Sequence, residues 1–300
     1  MKNLLRLFDF YPQGVLGMNR RNIEMILPRN NRRYFPLANN KLLTKVTLAQ
    51  SEIPVAPTLA TFESFHEISD FEHRLEGQNE FVVKPTRGSG GKGILVISDR
   101  RNDVFKTAGG RLLTAEDLKR HIADIVFGVY SFDRADVALI EPRLKPNGFF
   151  TLLYPYGLSD VRIILVDDMP ALCMLRVPTA ESDGRANLHQ GALGIAVDMD
   201  TGTTNRAWHK RRAINEHPES GVNLIGCEIP EWTDIVRIAV RTAHALPLKY
   251  LGVDLVVDRQ LGPLVLEVNA RPGIEIQNVT GRSLLDVMAN LATENERVFS

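Results

Sequence analysis

The sequence has few cysteines and no long apolar run, and each shortage excludes a class of protein. Only Cys173 and Cys227 occur among its 300 residues, far apart and outside any CxxC pair, so neither a disulfide framework nor a structural zinc site is supported. A membrane-spanning helix requires about 18 uninterrupted apolar residues, and the sequence contains no such stretch. The first residues also lack the apolar core of about 7–15 residues that a signal peptide has. We therefore expect a cytoplasmic protein with no membrane partner.

The chain has no excess of either charge. It carries 36 basic and 36 acidic side chains, and this balance argues against a partner nucleic acid bound by bulk electrostatics. Apolar residues make up 44% and charged residues 24%, as in ordinary globular proteins. A chain of this length can bury one large core or two fused lobes without disulfides.

Helical and strand patterns alternate along the chain. Residues 1–38 are rich in arginine and poor in apolar periodicity, which predicts an N-terminal arm laid on the main body. Apolar spacing predicts helices at 40–50, after a capping box at Thr114–Asp117, near 230–246 and at 283–296. Compact apolar runs predict strands and hairpins at 81–84, 94–97, 137–140, 161–177 and 251–269. The mixture of helices and hairpins indicates the α+β class.

A glycine-rich loop follows the strand that ends at Lys84. It contains Gly88, Ser89, Gly90, Gly91 and Gly93. It is not a dinucleotide fingerprint, because a strand rather than a helix follows, and it is not a P-loop, because its GK pair is followed by glycine. A flap whose backbone N–H groups close over a polyphosphate is one interpretation, and a mobile surface hairpin is the other.

Lys84 lies in an apolar strand at the entrance to this loop. Its ammonium group must reach a partner or a cleft, and a phosphate oxygen would satisfy it. A surface lysine on an edge strand is the alternative.

Three oxygen-bearing side chains are predicted to meet on a hairpin near the end of the chain. Glu267 and Asn269 are two residues apart in an apolar strand, so they share one face. If the preceding loop has an even length, such as residues 259–262, Asp254 lies opposite Glu267 on that face. Oxygen ligands on adjacent strands suit a nucleotide-bound Mg²⁺ ion.

Arginines are predicted on the neighbouring strands. Arg162 shares a strand face with Asp160, Arg176 is on the expected partner strand, and Asn187 follows in a polar loop. Guanidinium groups suit phosphoryl groups and carboxylates equally. An internal salt bridge is the alternative interpretation.

In this order, the motifs resemble those of the ATP-grasp ligases, and among them the α-L-glutamate ligases that add glutamate to peptides and to a ribosomal protein. The resemblance covers about residues 39–290. Its pieces are Asn40–Lys45, Val82–Lys84 with the glycine flap, Ile140–Glu141, Asp160–Arg162, Asn187–Gly191, Gly252–Asp254 and Leu266–Gly273.

The resemblance implies a nucleotide site. Lys41 and Lys84 would bind the α and β phosphates, under the glycine flap. Glu141 would begin a hinge whose backbone, near Arg143 and Leu144, holds the adenine.

The resemblance also implies the reacting groups. The implied metal ligands are Asp254, Glu267 and Asn269. The residues implied to face the γ-phosphate and the acyl phosphate are Arg162, Arg176 and Asn187. Arg271 stands where the glutamate ligases usually have a small residue, and its guanidinium would clamp a substrate carboxylate or phosphate.

The implied fold is an ATP-grasp fold in which two α+β lobes clamp a nucleotide. We expect an arm (1–38), a small lobe with the flap (39–139) and a large lobe with the metal site (140–300). The implied activity joins an amino acid such as glutamate, or another carboxylate, to an amine or peptide through an acyl phosphate. It uses ATP and two Mg²⁺ ions, with Mn²⁺ as an alternative, and a homo-oligomer stays open.

Two other functions stay open. A kinase-like phosphotransferase also has a glycine flap and a lysine, but there the lysine follows the flap, and this chain has no HRD triplet. A nucleotide-binding protein without turnover is the other, although both lysines and all three implied metal ligands are present.

Overall fold

The computed structural model describes residues 15–88 and 90–290. The helices are α1 (Met18–Arg20), α2 (Leu27–Arg29), α3 (Pro36–Asn39), α4 (Lys41–Gln50), α5 (Phe65–Ile68), α6 (Phe71–Arg74), α7 (Ala115–Val126), α8 (Gly148–Leu153), α9 (Trp232–Ala245) and α10 (Ile276–Thr280). A π-helical segment (Arg21–Ile26) and 3₁₀ turns (Arg32–Tyr34, Leu188–Gln190) add to them, and residues 284–290 are helical.

All strand pairings within the two sheets are antiparallel. The strands are β1 (Ala60–Phe62), β2 (Phe81–Pro85), β3 (Leu95–Arg101), β4 (Val104–Thr107), β5 (Leu112–Thr114), β6 (Ala138–Pro142), β7 (Asp160–Val166), β8 (Met169–Val177), β9 (Leu193–Val197), β10 (Thr204–His209), β11 (Arg212–Ile214), β12 (Tyr250–Asp258) and β13 (Gly262–Asn269). Helices combined with antiparallel sheets confirm the predicted α+β class. None of the described helices has the length and apolarity needed to cross a membrane.

The chain divides into two compact units, named here by their sheets. The six-stranded unit comprises Pro36–Gln50 and Pro54–Lys145, and the described part of the seven-stranded unit comprises 15–35, Ser51–Ile53 and 146–290.

The six-stranded unit has the strand order β1-β6-β2-β3-β4-β5. Its core contains Phe81 and Val83 of β2 and the apolar face of α7. The predicted capping box begins α7: the Thr114 hydroxyl accepts from the Asp117 N–H, and the Asp117 carboxylate accepts from the Thr114 N–H. The stripe predicted for this helix, from Leu118 to Val126, is buried.

Helix α4 has the predicted bounds within one residue, but the apolar stripe that the spacing predicts is not its inward face. Leu43 and Val46 are exposed, whereas Thr44 and Leu48 are buried. The half-buried Lys45 shares this inward side. This inward side mixes polar, charged and apolar side chains, so apolar spacing alone does not locate it.

The seven-stranded unit has the strand order β11-β10-β9-β8-β7-β12-β13. Helix α9 packs against β7, β8, β12 and β13, and α10 packs against β8, β9 and β10. The predicted β7–β8 hairpin is present, with Asp167 and Asp168 at its turn, both left-handed with φ of 51° and 70°. Two such residues form the turn type that follows strand twist best.

The β12–β13 hairpin reaches its pairing by an unexpected route. Asp258 pairs with Gly262, so three residues rather than an even number form the turn. Leu255 pairs with Val265 but Asp254 pairs with Glu267, so Leu266 is an extra residue, a β-bulge. The condition of an even loop, on which the sequence argument depended, is therefore not met. The pairing of Asp254 with Glu267 is nevertheless present, because the bulge shifts the register by one residue.

Residues 15–35 are fastened to the seven-stranded unit by polar contacts. The Asn30 side chain donates to the carbonyls of Tyr250 and Ala270 and accepts from the N–H groups of Lys249 and Tyr250. Arg21 donates to the carbonyl of Pro272 at 2.8 Å. Both anchors lie at the ends of β12 and β13, so this segment braces the hairpin.

Candidate functional site

Asp254, Glu267 and Asn269 share one face of the β12–β13 hairpin. Asp254 and Glu267 are directly paired, and Asn269 lies two residues further along β13. The Asn269 amide nitrogen donates to Asp254 Oδ2 at 3.2 Å. Asp254 is 1% exposed, whereas Glu267 and Asn269 are half-buried. The hairpin therefore presents two carboxylates and an amide together.

Two arginines contact Asp254, Arg162 from the adjacent strand β7 and Arg176 from β8, the next strand along. Arg162, directly opposite Asp254 in the sheet, donates through Nε and Nη2 to the two carboxylate oxygens, each at 2.6 Å. Arg176 makes the same forked contact with Asp160, at 2.6 Å for both bonds, and its Nη2 also donates to Asp254 at 2.8 Å. The geometry joins the predicted arginines and the acidic residues in one buried network.

The arginines keep Asp254 ionised despite its burial. Burial pushes the pKa of Asp254 upward, but the guanidinium groups of Arg162 and Arg176 outweigh it and hold this pKa below its usual value. Burial raises the pKa of Asp160 to about 6, opposed by Arg176 and reinforced by Asp254. At neutral pH both carboxylates are therefore predominantly charged.

The donor chemistry of this face fits a magnesium ion. Three carboxylates, those of Asp160, Asp254 and Glu267, face two guanidinium groups, which leaves one net negative charge. Asp254 Oδ1 accepts one hydrogen bond among the described residues, from Arg162, and an oxygen can accept more than one. Within the described ranges, no cluster of three His, Cys, Asp or Glu side chains is arranged to hold a metal. On this face the third metal ligand, after Asp254 and Glu267, would be the amide oxygen of Asn269, a usual oxygen ligand of hard cations.

The other two predicted catalytic residues have contacts of their own. Asn187 begins the 3₁₀ turn Leu188–Gln190, and its side-chain oxygen accepts from the His189 N–H at 3.0 Å. The exposed Arg271 lies over the ring of Phe35, 4.8 Å from its centre. The structure thus brings Arg162 and Arg176 to Asp254, while the contacts of Asn187 and Arg271 lie elsewhere in the unit.

In the six-stranded unit, the predicted phosphate ligands Lys41 and Lys84 are both held by local contacts. The Lys84 ammonium forms an ion pair with Glu141 on the adjacent strand β6. The Lys41 ammonium donates to the carbonyl of Gly88 at 2.7 Å. Lys84 is therefore an inward lysine, and the edge-strand alternative is wrong, since β2 lies between β6 and β3.

The predicted hinge follows Glu141. Arg143 donates to Glu80 at 2.9 Å, and Leu144 is half-buried in the segment after β6. Their predicted role in adenine binding stays a prediction.

A single buried carboxylate fixes the start of the glycine loop. Asp136 accepts from the Thr86 hydroxyl at 2.5 Å, from the Arg87 N–H at 3.0 Å and from the Ser131 hydroxyl. Gly88 follows, and a side chain there would collide with Pro85, whose Cγ lies 2.4 Å from the position of a Cβ atom. The loop therefore leaves β2 along a defined path.

The end of the loop is fixed at Gly93. Its φ of +75° is left-handed, and a Cβ atom would lie 2.6 Å from the Tyr130 ring, so glycine is required twice over. The His121 Nε2 atom lies 3.0 Å from the Gly93 carbonyl oxygen. Gly90 and Gly91 between these anchors are also left-handed, and Ser89 lies outside the described residues.

The burial of His121 predicts a pH-dependent stability. Burial lowers the pKa of His121, with the Gly93 carbonyl opposing, so the folded state favours the neutral ring. That stability is present above the unfolded pKa of about 6.5 and is lost as pH falls through the lower folded value. We expect the free energy of unfolding to fall between pH 7 and 5, and to fall less in His121→Gln.

Urea denaturation followed by far-UV circular dichroism at both pH values measures this difference. His66→Gln, at an exposed position of the same unit, is the matched control and should behave as the unsubstituted protein. An identical pH dependence in His121→Gln would contradict the prediction.

Several residues of the site were assigned no role in the sequence analysis. Lys45 contacts Glu141. Because Lys45 follows Lys41 by four residues on a helix, the sequence could have predicted that both lysines lie on one face. Asp160 carries the Arg176 fork. Asp136, His121 and Tyr130 stand 28–50 residues from the loop ends they hold, and no local pattern reveals such partners.

The chain is similar to a known protein family and to curated proteins. Residues 20–293 match a family described as sugar-transfer associated ATP-grasp. A probable alpha-L-glutamate ligase of Cellvibrio japonicus is 25% identical over 225 residues, which are 75% of this chain and 54% of that protein. A probable alpha-L-glutamate ligase of Marinobacter nauticus is 29% identical over 223 residues, 74% of this chain and 53% of that protein. The chain spans about half the length of these relatives.

Solved structures give more distant matches. A D-alanine–D-alanine ligase from Bacillus anthracis is 14% identical with a TM-score of 0.49, covering 91% of this chain and 72% of the other. The D-cycloserine synthetase DcsG is 17% identical with a TM-score of 0.46, covering 87% and 71%. Likenesses as distant as these carry no information about substrate.

Proposed function

The chain belongs to the sugar-transfer associated ATP-grasp family, and we propose that it is an ATP-dependent carboxylate–amine ligase. Family membership confirms the resemblance indicated by the ordered motifs, and with it the ATP-grasp fold. In the proposed reaction, a substrate carboxylate attacks the γ-phosphorus of ATP, giving an acyl phosphate and ADP. The nitrogen of an amine then attacks the acyl carbon, phosphate leaves, and the amine loses a proton as the amide forms.

One observation carries this proposal: Asp254, Glu267 and Asn269 share a sheet face with Arg162 and Arg176. The first three would hold Mg²⁺, which would neutralise phosphate charge when bound. The number of ions, two in our expectation, is part of the proposal.

The arginines would stabilise the transferring phosphoryl group. Among the described residues, each guanidinium makes its carboxylate contacts through Nε and Nη2. The Nη1 group has two further hydrogens that suit phosphoryl oxygens. Because the acidic partners hold both planes rigidly, the donors need little reorganisation as charge develops. Asn187 would face the same phosphoryl group, and Arg271 would bind the carboxylate of the donor.

The six-stranded unit would bind the nucleotide. Lys41 and Lys84 would donate to the α and β phosphates, and the loop from Gly88 to Gly93 would cover them with backbone N–H groups. The segment of Glu141, Arg143 and Leu144 would hold the adenine. Such catalysis consists mainly of positioning and charge neutralisation.

The proposed donor is glutamate or a similar amino acid, and the acceptor is a small amine or a peptide amine. The names of the relatives from Cellvibrio japonicus and Marinobacter nauticus support glutamate. Because the family is described as sugar-transfer associated, we include amino sugars among the proposed acceptors.

ADP release by the purified protein tests the proposal. Mg²⁺ and ATP are supplied with single amino acids and with amines, peptides or amino sugars, and the products are weighed by mass spectrometry. We expect repeated ADP release over many turnovers to require both a carboxylate and an amine, and the product to gain the mass of the joined acid. A gain of one glutamyl unit identifies glutamate as donor.

Two outcomes would refute the ligase. Phosphate transfer to a hydroxyl without amide formation indicates the phosphotransferase alternative. Nucleotide binding without ADP release under any pair of substrates indicates a binding protein.

A further inference from the structure

Glu141 is shared between two lysines. One carboxylate oxygen contacts the ammonium of Lys84 and the other that of Lys45. Glu141 is 4% exposed and Lys84 is 6% exposed, and the Lys45 side chain is 12% exposed. All three groups belong to the six-stranded unit.

The local structure explains why these groups meet. Val82 pairs with Glu141 across β2 and β6, and Lys84 lies two residues beyond Val82, so Lys84 and Glu141 share a face. Lys45 reaches this face from α4, one helical turn after Lys41. The opposite face, with Val83 and its neighbours, belongs to the apolar core.

The charges of this cluster do not balance. Two ammonium groups share one carboxylate, which leaves one net positive charge in a largely buried place. Burial lowers the pKa of Lys45 and Lys84 adds to this, while Glu141 opposes both. A buried charge requires a counter-charge, and an anion bound beside Lys84 would supply it.

We propose that Lys45 is a positioning residue that offsets the charge of Glu141, so that the cluster around Lys84 keeps a net positive charge for a nucleotide phosphate. The inference rests on the proposed function and names a contributor to nucleotide affinity that the family resemblance does not assign. Without Lys45, the charge of Glu141 acts on Lys84 alone, and the pair becomes neutral toward a phosphate. Lys45 acts through Glu141 and is not itself a catalytic residue.

A purely structural staple is the competing explanation, because Lys45 also ties α4 to β6. The two explanations differ when Glu141 is removed as well. Lys45→Met leaves one lysine and one carboxylate, with no net charge. The double variant Lys45→Met/Glu141→Gln restores one net positive charge but breaks every bond of the staple.

The test is the dissociation constant of Mg·ADP, measured by isothermal titration calorimetry at pH 7.5 and fixed salt. We expect Lys45→Met to weaken binding about tenfold or more. Lys45→Arg, which keeps the charge, should bind within about threefold of the unsubstituted protein, and the double variant should bind more tightly than Lys45→Met. Lys106→Met, at an exposed position of β4, is the matched control and should bind normally.

Each contrary result has a definite meaning. Unchanged affinity in Lys45→Met, or a double variant that binds no better than Lys45→Met, would overturn the inference while leaving the proposed function intact. An unsubstituted protein that does not bind Mg·ADP would instead refute the proposed function. Circular dichroism of each variant establishes whether it is folded. If Lys45→Met is not folded, Lys45→Arg and the double variant still test the inference.

Discussion

Glu267→Gln should lower ADP release on the order of 100-fold or more, the loss that follows when one group stabilising developing charge is removed. Glu267 faces Asp254 across the hairpin and is half-buried. The amide has nearly the same shape and still offers an oxygen, but it lacks the negative charge, so the site would hold Mg²⁺ less tightly and the phosphate charge would be less well neutralised. Steady-state rates with saturating ATP, donor and acceptor measure the effect.

A surface carboxylate provides the control for this substitution. Glu216→Gln makes the same chemical change at an exposed position of the same unit and should leave the rate unchanged. Circular dichroism and thermal unfolding of Glu267→Gln should match those of the unsubstituted protein. A folded Glu267→Gln protein with near-normal ADP release would show that Glu267 is not a metal ligand.

Arg176→Met should destabilise the seven-stranded unit by about 3–5 kcal/mol, the usual loss when one partner of a buried ion pair is removed. Arg176 contacts both Asp160 and Asp254. Its removal leaves two buried carboxylates with Arg162 alone. Both tryptophans, Trp208 and Trp232, lie in this unit, so urea denaturation followed by tryptophan fluorescence reports on it.

A second substitution tests the electrostatic reason. Asp160→Asn/Arg176→Met removes one of the stranded carboxylates and should recover part of the lost free energy of unfolding. Arg237→Met, an exposed arginine paired with Asp234 on α9, should change stability by less than about 0.5 kcal/mol. Equal stability of Arg176→Met and the unsubstituted protein would contradict the proposed dependence on ion pairing.

Local signals in the sequence predict the elements that depend on neighbours in the chain. The capping box at Thr114 locates the start of α7 because its partner, Asp117, is three residues away. Alternation within β13 places Glu267 and Asn269 on one face. The order of the motifs along the chain predicts the family, because that order can be read without knowing the tertiary contacts.

Features that depend on distant partners could not be predicted in this way. Asp136 holds Thr86 across 50 residues, and no local pattern connects the two. Apolar spacing in α4 suggests a buried stripe at Leu43 and Val46, which are exposed. Lys45 instead lies on the inward side of the helix and forms an ion pair with Glu141. Only the tertiary structure shows this charged partner.

The bulge at Leu266 offsets the registers of the two halves of the β12–β13 hairpin by one residue. Near the turn, Leu255 pairs with Val265, and beyond the bulge Asp254 pairs with Glu267. Deleting Leu266 would keep both pairs and make the ladder regular. The shortened chain would lose the half-buried Leu266 side chain and the extra bend and twist that a bulge gives a strand. Its activity would therefore separate the identity of the residues that meet from the angle at which they meet.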